Sequence, residues 1–314
     1  MMDDMRVIAG SGSPKLAQNI CQYLGIALGK SETMRFSEGS LFVRVCENVR
    51  GREVFLVQST AFPTNDNFME LLFWVDACKR ASAASVTVVM PYFGYNKGDK
   101  KDEPRVSIRA RVCADCIEAA GADRLVTLDL HAAQIQGFFR VPVDDLYALP
   151  VLCEAVKKKE LEDLIVVAPD TGFAKQGRKY ATYLGVAMAI GDKERRGHNE
   201  EAEVLEIIGD VEGKTALIVD DFTISGGTLI DMAKKLEERG ARAVYAAISH
   251  GVFAGDSMRR IEDSPIEKLI VTDSVETQPV ELGPKIEVVS VAPLFAEAIK
   301  RIYNHESISV LFPQ

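Results

Sequence analysis

The run Asp220-Asp221-Phe222-Thr223-Ile224-Ser225-Gly226-Gly227-Thr228-Leu229 combines two carboxylates with a hydroxyl- and glycine-rich turn. Adjacent carboxylates can accept hydrogen bonds from sugar hydroxyls. Glycines let backbone N–H groups close on a phosphate, and a helix starting there adds its partial positive charge. The flanking segments supply that setting. Ala216-Leu217-Ile218-Val219 predicts a buried parallel strand, and the residues from Ile230 to Gly240 have helical spacing and a glycine stop. Open α/β sheets bind ligands at the carboxyl ends of their strands, where these acids fall. The chemistry is that of a ribose-phosphate site.

Other residues fit a phosphate substrate. Leu164–Ala168 is a strand pattern followed by Pro169, Asp170 and a glycine turn, and the oxygens of Asp170 suit Mg²⁺. His131 stands just past the strand pattern Leu125–Leu128, at a ligand-binding edge; a lone histidine at such a place is more often structural. Two polar stretches, Asn96–Arg105 and Gly191–Glu201, supply cations, and the second is expected to be a mobile loop because nothing apolar anchors it. Neither a GxxxxGK[ST] loop nor a GxGxxG turn after a strand is present.

The elements that must position these residues repeat. Strand patterns at Arg6–Ala9, Glu53–Gln58, Ser85–Met90, Leu125–Leu128, Leu164–Ala168, Thr215–Val219, Ala243–Ile248, Lys268–Val271 and Ile286–Val289 alternate with helical patterns. Lys15–Leu24 followed by Gly25 echoes Lys175–Leu184 followed by Gly185. Val49–Val57 echoes Val211–Val219 at nearly the same offset, about half the chain. The expected architecture is α/β, two doubly wound parallel-sheet domains related by internal duplication. Residues 1–149 form the first domain and 150–314 the second, with the last twenty or so free to pack back on the first.

At 314 residues the chain has the length of about two domains. A net charge of −9 argues against a nucleic-acid surface and confines any polyanion site to local clusters of Lys and Arg. The start is not a signal peptide, and no apolar run approaches a membrane span. Six scattered cysteines point to a reduced, cytoplasmic protein. Cys113 and Cys116 have CxxC spacing, but they fall in a helical pattern with no second pair.

The ordered segments Asn65–Leu72, Pro91–Tyr95, Asp129–Phe139, Pro142–Tyr147, Ala296–Ile302 and Glu306–Phe312 resemble those of the ribose-phosphate pyrophosphokinase (phosphoribosyl pyrophosphate synthetase) family over essentially the whole chain. The resemblance implies two type I phosphoribosyltransferase-like domains and Mg²⁺-dependent transfer of the β,γ-diphosphoryl group of ATP to ribose 5-phosphate. It also implies a homo-oligomer, dimers assembling to a hexamer. It assigns Lys193 and Arg195 to transition-state stabilisation, His131 and Asp170 to the magnesium–ATP site, and Asp220 and Asp221 to the ribose hydroxyls and a second Mg²⁺. Thr223, Ile224, Ser225, Gly226, Gly227 and Thr228 would hold the 5-phosphate. Phe36 and Glu38 map to the adenine pocket, which a neighbouring subunit completes. Lys97 and Asp102 map to the ATP loop, and Arg50, Ser82, Ser307 and Ser309 to a regulatory phosphate site.

Five positions depart from the family pattern. Ile224 replaces a usual Asp, Lys97-Gly98 an Arg-Gln pair, Ser40 a Glu, and Ala133 a Ser or Pro. These bear on nucleotide preference and regulation. Two other readings remain at this point: a non-catalytic regulatory subunit of a synthetase assembly, and a phosphoribosyltransferase that consumes the activated sugar.

Overall fold

The computed structural model describes residues 4–194, 203–276 and 279–312. The chain divides into two compact units: Met1–Tyr147 with Ser274–Thr277 and Ser290–Gln314, and Ala148–Asp273 with Gln278–Val289.

In the first unit the order is β1 (Met5–Ala9), α1 (Pro14–Leu24), β2 (Ser31–Arg35), β3 (Leu41–Val45), β4 (Glu53–Val57), α2 (Thr64–Arg80), β5 (Ser85–Met90), α3 (Arg109–Ala120), β6 (Arg124–Leu128) and β7 (Val143–Leu146). Strands β1-β4-β5-β6-β7 make a parallel sheet in that spatial order, and β2 and β3 form a separate antiparallel hairpin. The sheet strands are short β-branched runs such as Ser85-Val86-Thr87-Val88-Val89-Met90, buried from Val86 onward, as expected where helices cover both faces. Val54, Leu56, Val86 and Val88 pack with Leu71 and Trp74 of α2.

The second unit runs α4 (Leu149–Lys157), β8 (Leu164–Ala168), α5 (Ala174–Leu184), β9 (Ala187–Glu194), β10 (Glu203–Ile208), β11 (Thr215–Thr223), α6 (Gly227–Glu238), β12 (Ala243–Gly251), α7 (Ser257–Glu262), β13 (Ile266–Thr272) and β14 (Ile286–Val289). Its sheet order is β10-β9-β8-β11-β12-β13-β14. The last five strands reproduce the first unit's sheet, with β9 and β10 standing where the first unit has its detached hairpin. Helices α1 and α5 are each 11 residues long and end alike. Gly25 and Gly185 are left-handed, and the residue after each donates to a carbonyl five positions back. The duplication expected from the two sequence echoes is present in the fold.

The chain returns to the first unit through α8 (Ala292–Tyr303), which packs on α1. The sequence boundary gave residues 150–314 to one domain but left the last twenty or so free to pack back on the first; the returning segment is a little longer and starts at Ser290. The difference has a physical source: α8 is amphipathic, and Phe295, Ala298 and Ile299 are fully buried.

A second difference concerns Gly191–Glu201. Expected as a loop, it begins as strand, since β9 continues through Glu194 paired to β10 and Gly191 is buried. A Cβ at Gly191 would stand 2.0 Å from Met232 Cε, so glycine lets the strand pass close to α6. Residues 195–202, Arg195 among them, lie outside the described residues, as does the side chain of Lys193.

Candidate functional site

In the second unit β8 leads to β9 on one side, whereas β11 lies on its other side. Strand order therefore reverses between β8 and β11, and the crevice beyond the carboxyl ends of these two strands is the expected ligand position. Asp170 follows β8, and Asp220 and Asp221 lie near the end of β11. The pairing of β11 with β8 ends at Ile218–Val167, so Asp170 and both acids of β11 lie beyond it, on the carboxyl side of these two strands.

The acids fall at the carboxyl end of the strand as expected, but the strand runs on past Val219 through both of them. They are strand residues, because β11 goes on pairing with β12 as far as Thr223–Gly251 after its pairing with β8 has ended at Ile218. The amide of Asp221 donates to Asp220 Oδ1 at 3.0 Å and that of Phe222 to Asp221 Oδ1 at 2.9 Å. Asp170 accepts from the amide of Phe173 at 3.0 Å, which shapes the turn into α5.

The turn itself is Ile224-Ser225-Gly226. Gly226 has φ 75 and opens α6 with no side-chain cap of its own, so the amides of the first helical turn point to the crevice end. Gly227 N–H reaches Ser225 Oγ only at 3.4 Å. The carbonyls of Thr223 and Ile224 accept from Val252 and Ala254, which ties the turn to the segment leading into α7. Helix α7 then presses so closely that a Cβ at Gly226 would stand 3.3 Å from Ile261 Cγ1. Thr223 is buried, while Ile224, Ser225, Gly227 and Thr228 are half-buried.

In the first unit, His131 is exposed and follows a fixed bend at the end of β6. Asp129 takes φ 41 and donates its amide to Leu146, and the amide of Leu130 donates to the buried Asp145 at 3.1 Å. Phe36 and Glu38 lie at the tip of the β2–β3 hairpin. Phe36 is half exposed and meets Phe42 edge-on at 6.2 Å. Glu38 accepts a hydrogen bond from Ser40, which holds its carboxyl below the usual range. Arg35 pairs with Asp66, and Thr33 Oγ1 donates to Glu70 at 3.0 Å, which fastens the hairpin to α2.

Lys97 and Asp102 are exposed on the irregular stretch between β5 and α3. Gly98 beside them has a packing reason: a Cβ there would stand 2.7 Å from Arg109 Nε. Of the regulatory set, Arg50 Nη1 donates to Ser82 Oγ at 3.0 Å, and the hydroxyls of Ser307 and Ser309 lie 2.8 Å apart. They form two separate pairs.

Among the described residues no three His, Cys, Asp or Glu side chains form a ready metal cluster. Asp170, Asp220 and Asp221 do offer the hard oxygen donors that Mg²⁺ takes, and Mg²⁺ is commonly held by one or two carboxylates together with substrate phosphates. The cysteines are free, including Cys113 and Cys116 on α3. No helix among the described residues is long and apolar enough to cross a membrane.

Two groups at these sites went unread in the sequence: the β2–β3 hairpin and buried Glu70. The alternation of Ser31–Arg35 and Leu41–Val45 around a Ser-Glu-Gly-Ser turn was a usable hairpin signal. Glu70 gave none, since a carboxylate inside an amphipathic helix reads as solvated.

A parallel α/β unit built twice in one chain, the second copy carrying an acid pair and a glycine turn at its switch point, defines a two-domain protein of type I phosphoribosyltransferase-like fold. Comparison with known proteins is specific. Residues 5–121 match the N-terminal domain of ribose phosphate pyrophosphokinase, and residues 198–313 the phosphoribosyl synthetase-associated domain. Ribose-phosphate pyrophosphokinase of Rhizobium meliloti (strain 1021) is 47% identical over 310 residues, covering 98% of this chain and all of the relative. That of Vibrio cholerae (El Tor Inaba N16961) is also 47% identical, over 314 residues and the relative's full length. The crystal structure of phosphoribosylpyrophosphate synthetase from Mycobacterium smegmatis superposes with a TM-score of 0.90 at 35% identity, covering 96% of this chain and all of that one. The chain belongs to the ribose-phosphate pyrophosphokinase family.

Proposed function

We propose that the protein transfers the β,γ-diphosphoryl group of ATP to the 1-hydroxyl of ribose 5-phosphate, giving phosphoribosyl pyrophosphate and AMP. The observation that carries this reading is the Asp220–Thr228 segment at the switch point of a chain of this family. Oxygen 1 of the sugar bonds to the β-phosphorus, the bond from that phosphorus to the bridging oxygen of AMP breaks, and the hydroxyl proton leaves.

Such transfer needs little covalent chemistry from the protein, which acts by positioning and by matching charge. Asp220 and Asp221 accept hydrogen bonds from the ribose hydroxyls and fix the anomeric oxygen. The amides and hydroxyls from Thr223 to Thr228 hold the 5-phosphate. Lys193 and Arg195 neutralise charge gathering on the transferred group and the leaving AMP. Phe36 and Glu38 serve the adenine, Lys97 and Asp102 the nucleotide phosphates. Mg²⁺, when bound, neutralises phosphate charge; His131, Asp170, Asp220 and Asp221 are the residues assigned to hold it with its phosphate ligands. Arg50, Ser82, Ser307 and Ser309 are assigned to a regulatory phosphate. The enzyme is taken to be a cytoplasmic homo-oligomer, dimers assembling to a hexamer, which sedimentation would report.

The test is production of AMP from ATP, ribose 5-phosphate and Mg²⁺. Formation of AMP and phosphoribosyl pyrophosphate in equal amounts is expected. Absence of turnover with ATP, dATP or ADP would leave only a non-catalytic subunit.

A further inference from the structure

The cation Arg260 stands beside the glycine turn and has no role in the scheme above. It lies on α7, half-buried, and its Nη2 is 3.4 Å from the point where a Cβ on Gly227 would stand. Ser225 Oγ lies 3.6 Å from that same point. A guanidinium, a hydroxyl and the first amides of α6 thus converge on one small volume, kept open because residue 227 has no side chain. The position of α7 is not loose, since the carbonyls of Thr223 and Ile224 are bonded to the strand-to-helix segment that carries it.

The electrostatics of this placement are unfavourable without a ligand. The N-terminal end of a helix carries about half a positive charge, and a guanidinium there is repelled rather than attracted. Arg259, its neighbour, is exposed and has Asp263 at 3.8 Å. Among the described residues Arg260 has no side-chain hydrogen bond and no ion pair. Five N–H donors facing a helix N-terminus suit an anion with several oxygens, and a phosphate monoester carries a charge of about −1.5 to −2 at neutral pH.

We propose that Arg260 donates hydrogen bonds to the 5-phosphate of the sugar substrate and sets the preference for a phosphorylated pentose over the free sugar. The inference rests on the reading that this turn takes ribose 5-phosphate. Arg260 supplies the side-chain charge of the cradle, whereas the α6 amides supply neutral donors.

The test compares the full-length protein with R260A, R260K and the control R259A, by calorimetry with ribose 5-phosphate and by steady-state kinetics. R260A should raise the Kd for ribose 5-phosphate about 10- to 100-fold, as loss of a charge-assisted hydrogen bond does. The KM for ATP should stay at its original value, and binding of unphosphorylated ribose should be as weak in R260A as in the unmutated protein. R260K should recover part of the affinity, because lysine restores the charge without the two-pronged geometry. R259A should bind normally. An unchanged Kd in R260A would overturn the proposal, as would an equal loss in R259A or a parallel rise in the KM for ATP. Thermal midpoints matching the unmutated protein would show that the variants are folded; if R260A unfolds, R260K decides by the same criteria. Failure of the unmutated protein to bind ribose 5-phosphate would instead defeat the underlying reading.

Discussion

Gly226 shows how much a single residue constrains the site. Its φ of 75 lies in the left-handed region, which a β-branched side chain adopts only under strain, and Ile261 and Ile230 crowd the space a Cβ would need. Gly226→Val should therefore distort the first turn of α6 and lower affinity for ribose 5-phosphate by at least about 100-fold, the scale of losing more than one charge-assisted bond. Calorimetry reads this directly, and retained affinity would mean that the cradle lies elsewhere. The glycine was legible in the sequence because its type and its place before a helical pattern implied a special backbone. Gly98 was not: its reason is the guanidinium of Arg109, brought alongside by folding.

Among the elements, the β2–β3 hairpin depends on a buried carboxylate. Glu70 of α2 is 2% exposed, and its Oε1 accepts from the amide and hydroxyl of Ser11, from Thr33 Oγ1 and from Trp74 Nε1 at 3.0 to 3.1 Å. It joins the β1–α1 turn, the hairpin and α2 at one point. Glu70→Leu removes the acceptor and leaves the Ser11 amide and the Trp74 indole without it, at a cost of about 2–5 kcal/mol. Urea denaturation should show the unfolding free energy falling by that amount, and a loss under about 0.5 kcal/mol would contradict the hub. The parallel strands were readable because a β-branched run buried on both faces has few other uses. The hairpin and the second half of β11 were not, because their strand character comes from pairing. Asp220–Thr223 is a poor strand sequence held by β12.

Over the whole molecule, burial fixes the chemistry of the cysteines in both units. It pushes the thiols of Cys21, Cys78, Cys113 and Cys153 from near 9 up to about 12, whereas Cys46 is exposed. A raised pKa favours the protonated form in the fold. This contribution to stability is therefore complete below pH 9 and is lost as pH rises from about 9 towards 12. Each buried thiol steepens the loss by up to about 1.4 kcal/mol per pH unit within that window. Denaturant titrations at pH 8, 9, 10 and 11 should show it, and substituting Ala for Cys78 should flatten the slope. Brief alkylation at pH 8 followed by mass spectrometry should label Cys46 and spare the four; rapid labelling of any of them would refute their burial. The sequence by itself determined the α/β class, the duplication and the glycine turn before α6, because hydrophobic period and glycine placement are local properties that survive without a fold. Tertiary structure alone decided that β11 runs on beside β12 through Asp220 and Asp221, and that Arg260 faces Gly227. Those relations depend on the order and register in which distant strands pair, which no local pattern encodes.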